Sequence, residues 1–365
     1  MIQNADQVPL WSPLVTLPPY DEIPDLDAVT HRIIERGKKN EFHYLHTTTL
    51  AFHREHLYVG WASHPTMEIN LREECVRGSR STDDGVTWES AATWVAPTVN
   101  GSEGFNHSVI ASCFDRLWGF FTRWNGGKPS TEIFLLQEGS GCWESTGTII
   151  PGFITFGPPR RLPDGNYIMS GEIFWYEGAV AISEGEDFTR WKIVQMPRPD
   201  GIKLLFAEPT LMEHDGKLTA IFRPQSNGPA PVSFSEDAGQ SWTPLALSNF
   251  PIDNSKPWCG RLSSGQHYLL FNEVTERRTL LGIAVTRPGG AVFERIWKLR
   301  HQAFPKTRLY CDFGSGSFVG RPTQWSYPSA LEHENNLYIS YNQSKEDAWL
   351  SIIPIAALGV EPAVS

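Results

Sequence analysis

The chain has 365 residues, of which 40% are apolar, 12% aromatic and 20% charged, a mix that provides a large core and excludes a disordered chain. No run of 18 or more apolar residues occurs, and the first residues, Met1 to Asp6, lack the basic and apolar blocks of an export signal, so the sequence as it stands reads as cytoplasmic with no membrane span. With 31 Lys and Arg against 41 Asp and Glu, the net charge of −10 repels a phosphate backbone and argues against nucleic acid as a partner.

Five cysteines, Cys75, Cys113, Cys142, Cys259 and Cys311, are scattered without a C-x-x-C pair, which argues against a disulfide framework and a thiolate metal site. No Gly-rich phosphate loop or dinucleotide fingerprint is present, so no cofactor is expected. The 31 glycines and 27 prolines cut the chain into short segments and point to an all-β protein.

In chain order, Thr30 to Glu35 reads as a strand with no partner in its own neighbourhood. A hairpin of the form apolar, turn, apolar then recurs at Leu50 to Leu57, Ile110 to Leu117, Leu162 to Tyr167, Leu211 to Leu218, Leu262 to Tyr268 and Ala330 to Leu337. A second element alternates with it. Ser81-Thr-Asp83-Asp-Gly85-Val-Thr87-Trp88 and Ser235-Glu-Asp237-Ala-Gly239-Gln-Ser241-Trp242 share the pattern S-x-D-x-G-x-[TS]-W, a tight turn whose Asp and hydroxyl bond local backbone and whose Trp anchors it. Weaker copies run from Gln137 to Trp143, Ser183 to Trp191, Thr286 to Phe293 and Ser344 to Trp349. The closing aromatics fall at intervals of roughly 50 residues, the length of one four-stranded propeller blade.

Six such units predict a six-bladed β-propeller of four-stranded antiparallel blades. The chain is then one domain over 1–365, with 1–29 an extension packed on the propeller and the blades within 30–360. The last unit supplies only three strands, so Thr30 to Glu35 is expected to complete it and leave no open edge.

First strands line the axial channel of a propeller, so their starts and the ends of the second strands converge on one face. The starts fall near His46/Thr47, at His107, near Gly157/Pro158, at Glu208, near Trp258 and at Tyr327; the ends fall near Trp61 to His64, at Thr122/Arg123, Glu172, Arg223, Asn272/Glu273 and Asn342. Glu208 and Tyr327 occupy the same place in their blades, before Pro209-Thr-Leu-Met-Glu-His and Pro328-Ser-Ala-Leu-Glu-His. A carboxylate beside a phenol can take its proton and make it a nucleophile or a base. Arg223 and Arg278, the latter preferred over Arg277 by strand alternation, are expected to face the channel and suit an anionic sugar. Glu68 and Glu74, on the segment from His64 to Glu74, are candidate general acids, with Glu172 as another. His107 is a candidate base or donor, Trp175 and Trp258 are candidate stacking surfaces, and Arg123, His46 and Asn342 complete the expected substrate-binding ring. The pair His53 and His56 lies on a turn and is expected to be exposed and inert toward metals.

These residues resemble the sialidase superfamily of six-bladed propellers, whose hallmark is the Asp-box repeat at Ser81 and Ser235. The resemblance implies a Glu and an Arg of one blade at Glu208 and Arg223, a further Arg at Arg278 and a Tyr nucleophile at Tyr327. Two departures stand out. His46 occupies the place of the superfamily's first arginine, and its aspartic general acid has no counterpart beyond Glu68, Glu73 and Glu74. The implied activity is an exo-acting glycoside hydrolase that cleaves a terminal acidic sugar with retention. Two alternatives stay open: a lyase for uronate-containing glycans, with His46, His107 or Tyr327 as base, and a non-catalytic glycan-binding propeller.

Overall fold

The computed structural model describes residues 7–68, 73–98, 103–174, 176–274, 278–301, 308, 311–312, 316–317 and 322–359. Six antiparallel sheets, the blades, follow one another along the chain, and a two-stranded sheet of Cys311–Asp312 and Gly316–Ser317 lies between the last two. Blade 1 comprises Tyr44–His53, His56–His64, Cys75–Ser81 and Ala92–Val95. Blade 2 comprises Glu103–Cys113, Arg116–Asn125, Lys128–Gln137 and Cys142–Pro151. In blade 3 the first strand is split into Phe153–Thr155 and Arg160–Arg161, both paired with Tyr167–Ile173, before Glu177–Glu184 and Asp187–Gln195. Pro158 and Pro159 lie in the break, where their missing N–H groups cannot serve a ladder. Blade 4 runs through Thr210–His214, Lys217–Ile221, Gly228–Ser235 and Ala246–Ile252, and blade 5 through Trp258–Arg261, His267–Asn272, Leu281–Thr286 and Phe293–Arg300. Blade 6 contributes Trp325–His333, Asn336–Gln343 and Asp347–Pro354.

Its fourth strand is Thr30–Arg36, which pairs antiparallel with Asp347–Pro354 from Thr30 opposite Ile352 to Arg36 opposite Asp347. The expected six-bladed propeller and its closure by an N-terminal strand are therefore both present. Closure converts what would be two exposed edges into one continuous ladder.

Preceding that strand, the segment from Gln7 onward lies along blades 4 and 5, with bridges from Val8 to Ser248 and Trp11 to Phe293. Asn249 clamps it, accepting from the Leu10 and Trp11 N–H groups at 2.8 and 2.9 Å and donating to the Trp11 carbonyl at 2.9 Å.

The core is divided among the seams between blades. One apolar layer joins Phe250 of blade 4 to Phe271 and Phe293 of blade 5; others join Leu281 to Tyr341, Ile182 to Leu218, Phe120 to Met169, Val59 to Leu350, and Ile110 to Val76. At two of the seams a turn built by an S-x-D-x-G-x-[TS]-W box reaches the neighbouring blade, with Gly85 against Leu350 and Gly239 against Ile168. In blade 1, Ser81 Oγ donates to Asp83 Oδ1 at 2.8 Å, and Asp83 accepts the Thr87 N–H and hydroxyl at 2.8 and 2.6 Å. The hydrogen bonds from Thr87 hold the Asp83 carboxyl down to about 2. The box at Ser235 repeats the pattern, with Asp237 held at about 2 by Ser241. Gly85, at φ +81°, leaves room for Leu350 of blade 6, whose Cδ2 would lie 2.5 Å from a Cβ placed there. The box is thus a seam device, and its Asp is spent on turn geometry.

Candidate functional site

The first strand of a blade meets the channel through an irregular start. Thr47, His107, Glu208 and Tyr327 hold equivalent places in blades 1, 2, 4 and 6, and all four take a left-handed backbone, at φ +51°, +48°, +38° and +57°. In three of these blades the ladder slips there, between His46 and Thr49, Asn106 and Ser108, and Ser326 and Ser329. A slip of this kind releases a side chain from strict alternation and re-aims it. L-residues held in this conformation are concentrated at functional sites.

Glu208 and Tyr327 meet directly. The Tyr327 hydroxyl donates to Glu208 Oε1 at 2.8 Å, and Arg223 Nη1 donates to Glu208 Oε2 at 2.9 Å and to the Tyr327 oxygen at 3.0 Å. All three are buried. Burial by itself would raise the Glu208 carboxyl, but the Arg223 guanidinium and the Tyr327 hydroxyl outweigh it and hold it below the ordinary value. Burial, reinforced by the Glu208 carboxylate, raises the Tyr327 phenol. Burial would lower Arg223, yet Glu208 and Tyr327 overcome it and raise the guanidinium further. The triad rests as carboxylate, neutral phenol and guanidinium.

Asn254 ties this triad to the second arginine. Its side-chain oxygen accepts from Arg223 Nε at 2.5 Å, while its carbonyl accepts from Arg278 Nε and Nη2 at 3.1 and 2.6 Å. Asp253 holds the Arg278 backbone N–H at 2.8 Å, and the Arg278 guanidinium stands 5.6 Å from the Tyr327 ring centroid. Arg277 lies outside the described residues.

His46 packs on the other side of Tyr327, its ring centroid 4.0 Å away at 61°, and 6.5 Å from that of His107. Burial first, then the nearby cations beginning with Lys345, keep His46 well below its ordinary value; burial lowers His107 to about 4. Both imidazoles are neutral at pH 7. Glu68 closes this side, with Oε1 at 3.8 Å from His46 Nε2 and Oε2 accepting from Lys345 Nζ.

Glu172 sits beneath the Glu208 strand start. It is 1% exposed, accepts the Ala207 N–H at 2.7 Å, and is pushed up to about 8 by burial and by the Glu208 carboxylate. Its role is to hold the Ala207–Glu208 backbone as a neutral acid. A folded value above the ordinary 4.5 means that its stability cost is absent below pH 4.5 and accumulates as pH rises toward 8. Glu172→Gln carries no such cost. The variant is expected to gain on the wild type by about 3 kcal/mol between pH 4.5 and pH 7, read from denaturant midpoints. A gap that stays constant across that range means that Glu172 is ionised in the fold.

Other expected members of the ring lie elsewhere. Trp258 is 4% exposed in the seam between blades 5 and 6, where its Nε1 donates to the Ala330 carbonyl at 3.2 Å, so it is core and offers no stacking face. Arg123 is held within blade 2 by Glu103 at 2.6 Å and Glu132 at 3.3 Å, because the ladder sets it opposite Phe105 and beside those acids. Glu74 is fully buried at the foot of the Cys75–Ser81 strand, pinned by its carbonyl to the Phe105 N–H at 2.8 Å; it is no loop acid. Asn342 is buried opposite Ser326, and neither side-chain atom has a partner among the described residues. His53 is buried instead of exposed, bonded to Ser112 at 2.9 Å, and no group of metal-ligating side chains occurs among the described residues. Trp175 lies outside the described residues.

Lys256 was not anticipated. It heads blade 5 in the string Lys256-Pro257, as Glu208-Pro209 and Tyr327-Pro328 head theirs, and aligning blade 5 on the proline instead of the bulky Trp258 would have found it. Asn254 was also missed, on a loop whose course the repeat does not set, and so was Lys345, which lies in the weak repeat copy from Ser344 to Trp349.

The family described as BNR repeat-like domain matches residues 144–339, more than half of the chain. A search of the curated proteins found no match. Among solved structures, a sialidase of Trypanosoma rangeli in complex with sialic acid aligns at 15% identity and TM-score 0.63 over 90% of this chain, which spans 59% of that protein. The NanB sialidase from Streptococcus pneumoniae aligns at 12% identity and TM-score 0.61 over 89% of this chain and 71% of its own. A protein of unknown function from Dyadobacter fermentans aligns at 13% identity and TM-score 0.67, over 90% of this chain and 99% of its own. At such identities the likeness is one of fold. The chain belongs to the BNR repeat-like domain family and adopts the six-bladed propeller of the sialidases in a divergent form.

Proposed function

We propose that the chain is an exo-acting, retaining glycoside hydrolase that releases a terminal acidic sugar. The observation that carries this reading is the buried contact of Tyr327 with Glu208 at 2.8 Å, bridged by Arg223. In the first step the Tyr327 oxygen attacks the anomeric carbon, the bond from that carbon to the leaving oxygen breaks, and the phenolic proton passes to Glu208. Glu68, which enters this step as the protonated acid, gives its proton to the leaving oxygen and is left as the carboxylate that pairs with Lys345. In the second step Glu68 takes a proton from water, the water oxygen attacks the anomeric carbon, and the released Tyr327 oxygen recovers its proton from Glu208. Arg223 bonds to both Glu208 and Tyr327, so it stabilises the negative charge on whichever of the two carries it. Arg223 and Arg278, joined through Asn254, suit the substrate's carboxylate, and the trypanosomal sialidase of the same fold binds sialic acid.

A fluorinated sugar acid that slows the second step tests this reading. The Tyr327 peptide is expected to gain the mass of the sugar, and the turnover product is expected to keep its anomeric configuration. An ultraviolet-absorbing unsaturated product would instead identify a lyase, for which the neutral imidazoles beside Tyr327 are candidate bases. Binding without any product would leave a glycan-binding propeller.

A further inference from the structure

Around the ring, Lys256 stands between Glu208 of blade 4 and Tyr327 of blade 6. Its side chain is 5% exposed. Among the described residues Nζ reaches only the Pro328 carbonyl, at a long 3.5 Å, and it lies 4.8 Å from the Trp258 ring centroid. Among the described residues no carboxylate forms an ion pair with it. A buried ammonium so poorly satisfied is costly to keep, and the cost is relieved by an anion that arrives later.

The surroundings set the sign of that anion. Glu208 draws on Lys256, while the neutral rings of His46 and His107 both feel its charge. Arg223 and Arg278 add two more cations, Tyr327 is neutral, and Glu172 is protonated at pH 7. Lys256, Arg223, Arg278 and Lys345 therefore stand against the acids Glu208, Asp253 and Glu68. Asp253 serves Arg278, Glu68 pairs with Lys345 and Glu208 with Arg223, which leaves Lys256 without an ion-pair partner among the described residues, in a chain whose net charge is −10.

We propose that Lys256 is an anion-binding residue of this pocket, its ammonium meeting, together with Arg223 and Arg278, a carboxylate carried by the bound sugar. This rests on the reading of the channel mouth as a site for an acidic sugar. Burial holds Lys256 at about 8, so an incoming carboxylate raises its proton affinity. Binding near pH 8.5 then takes up protons.

The test is calorimetric titration of the full chain with N-acetylneuraminate and with D-glucuronate, using D-glucose as the uncharged control, at pH 8.5 in two buffers of different ionisation heat. At least one acid is expected to bind the wild type with proton uptake. Lys256→Met is expected to weaken that binding by about tenfold or more and to abolish the uptake. Lys256→Arg, charged at every pH used, should keep the binding and lose the uptake, and it serves alone if the Met variant does not fold. Removal of an unpaired buried charge should leave the melting temperature unchanged or raised, whereas a purely structural lysine would show a lowered melting temperature with binding intact. Equal binding and equal uptake in wild type and variants overturn the role of Lys256 and leave the pocket reading standing. No binding of either acid by the wild type overturns both.

Discussion

Tyr327→Phe is expected to lower turnover by roughly ten-thousandfold while the propeller stays folded. In the proposed mechanism the phenol oxygen is the atom that forms the covalent bond, and loss of a nucleophile typically costs this much or more. The structural cost is smaller. Glu208 Oε1 loses its donor, but Oε2 keeps the Arg223 contact at 2.9 Å, so the carboxylate stays paired. One unsatisfied buried acceptor costs about 1–3 kcal/mol, which a domain of this size tolerates. Activity against a chromogenic glycoside of an acidic sugar, read beside the melting temperature, separates the two effects. Glu208→Gln offers the complementary case, because the amide keeps the shape and cannot take the proton; a loss of about 10²–10⁴-fold is expected. Full activity in the Phe variant would remove Tyr327 from the chemistry and turn attention to the neutral imidazoles of His46 and His107.

The propeller was legible because its signals are local and repeated. Each box closes within a few residues through Asp83 or Asp237, and each hairpin needs only turn chemistry and two apolar strands. The pairing of Thr30–Arg36 with the last blade was legible by counting strands. The Glu208–Tyr327 contact followed from two matching strings, since equivalent places in a ring converge whatever the details.

What failed depends on side-chain direction within a degree of freedom that period-two alternation ignores. Arg123 lies inside the second strand of blade 2, two residues before its end, whereas Arg223 follows that of blade 4, and Glu103 and Glu132 of its own sheet capture Arg123. Trp258 sits two residues beyond the channel-facing place, which belongs to Lys256, so its bulk fills a seam. Asn254 carries no charge and lies on a loop, so only coordinates reveal that it orients both arginines.

Arg223→Met isolates the electrostatics of the site from its packing, because methionine fills much of the same volume without the charge. The variant leaves Glu208 buried with the Tyr327 hydroxyl as its remaining donor, and breaking a buried pair in this way costs about 3–5 kcal/mol at neutral pH. The dependence on pH identifies the cause. In the wild type the folded Glu208 carboxyl lies below its ordinary value, so its contribution to stability is present above the unfolded value of 4.5 and is lost as pH falls through the folded one. Without Arg223, burial is the largest influence that remains, and it acts in the opposite direction. Glu208 then binds its proton more tightly in the fold than in the unfolded chain, and stability falls as pH rises past 4.5. The deficit of the variant should be smallest near pH 4 and widen toward pH 7, as denaturant midpoints would show. A deficit that does not change with pH would mean that Arg223 contributes packing alone, and that some other group keeps Glu208 ionised beside Tyr327.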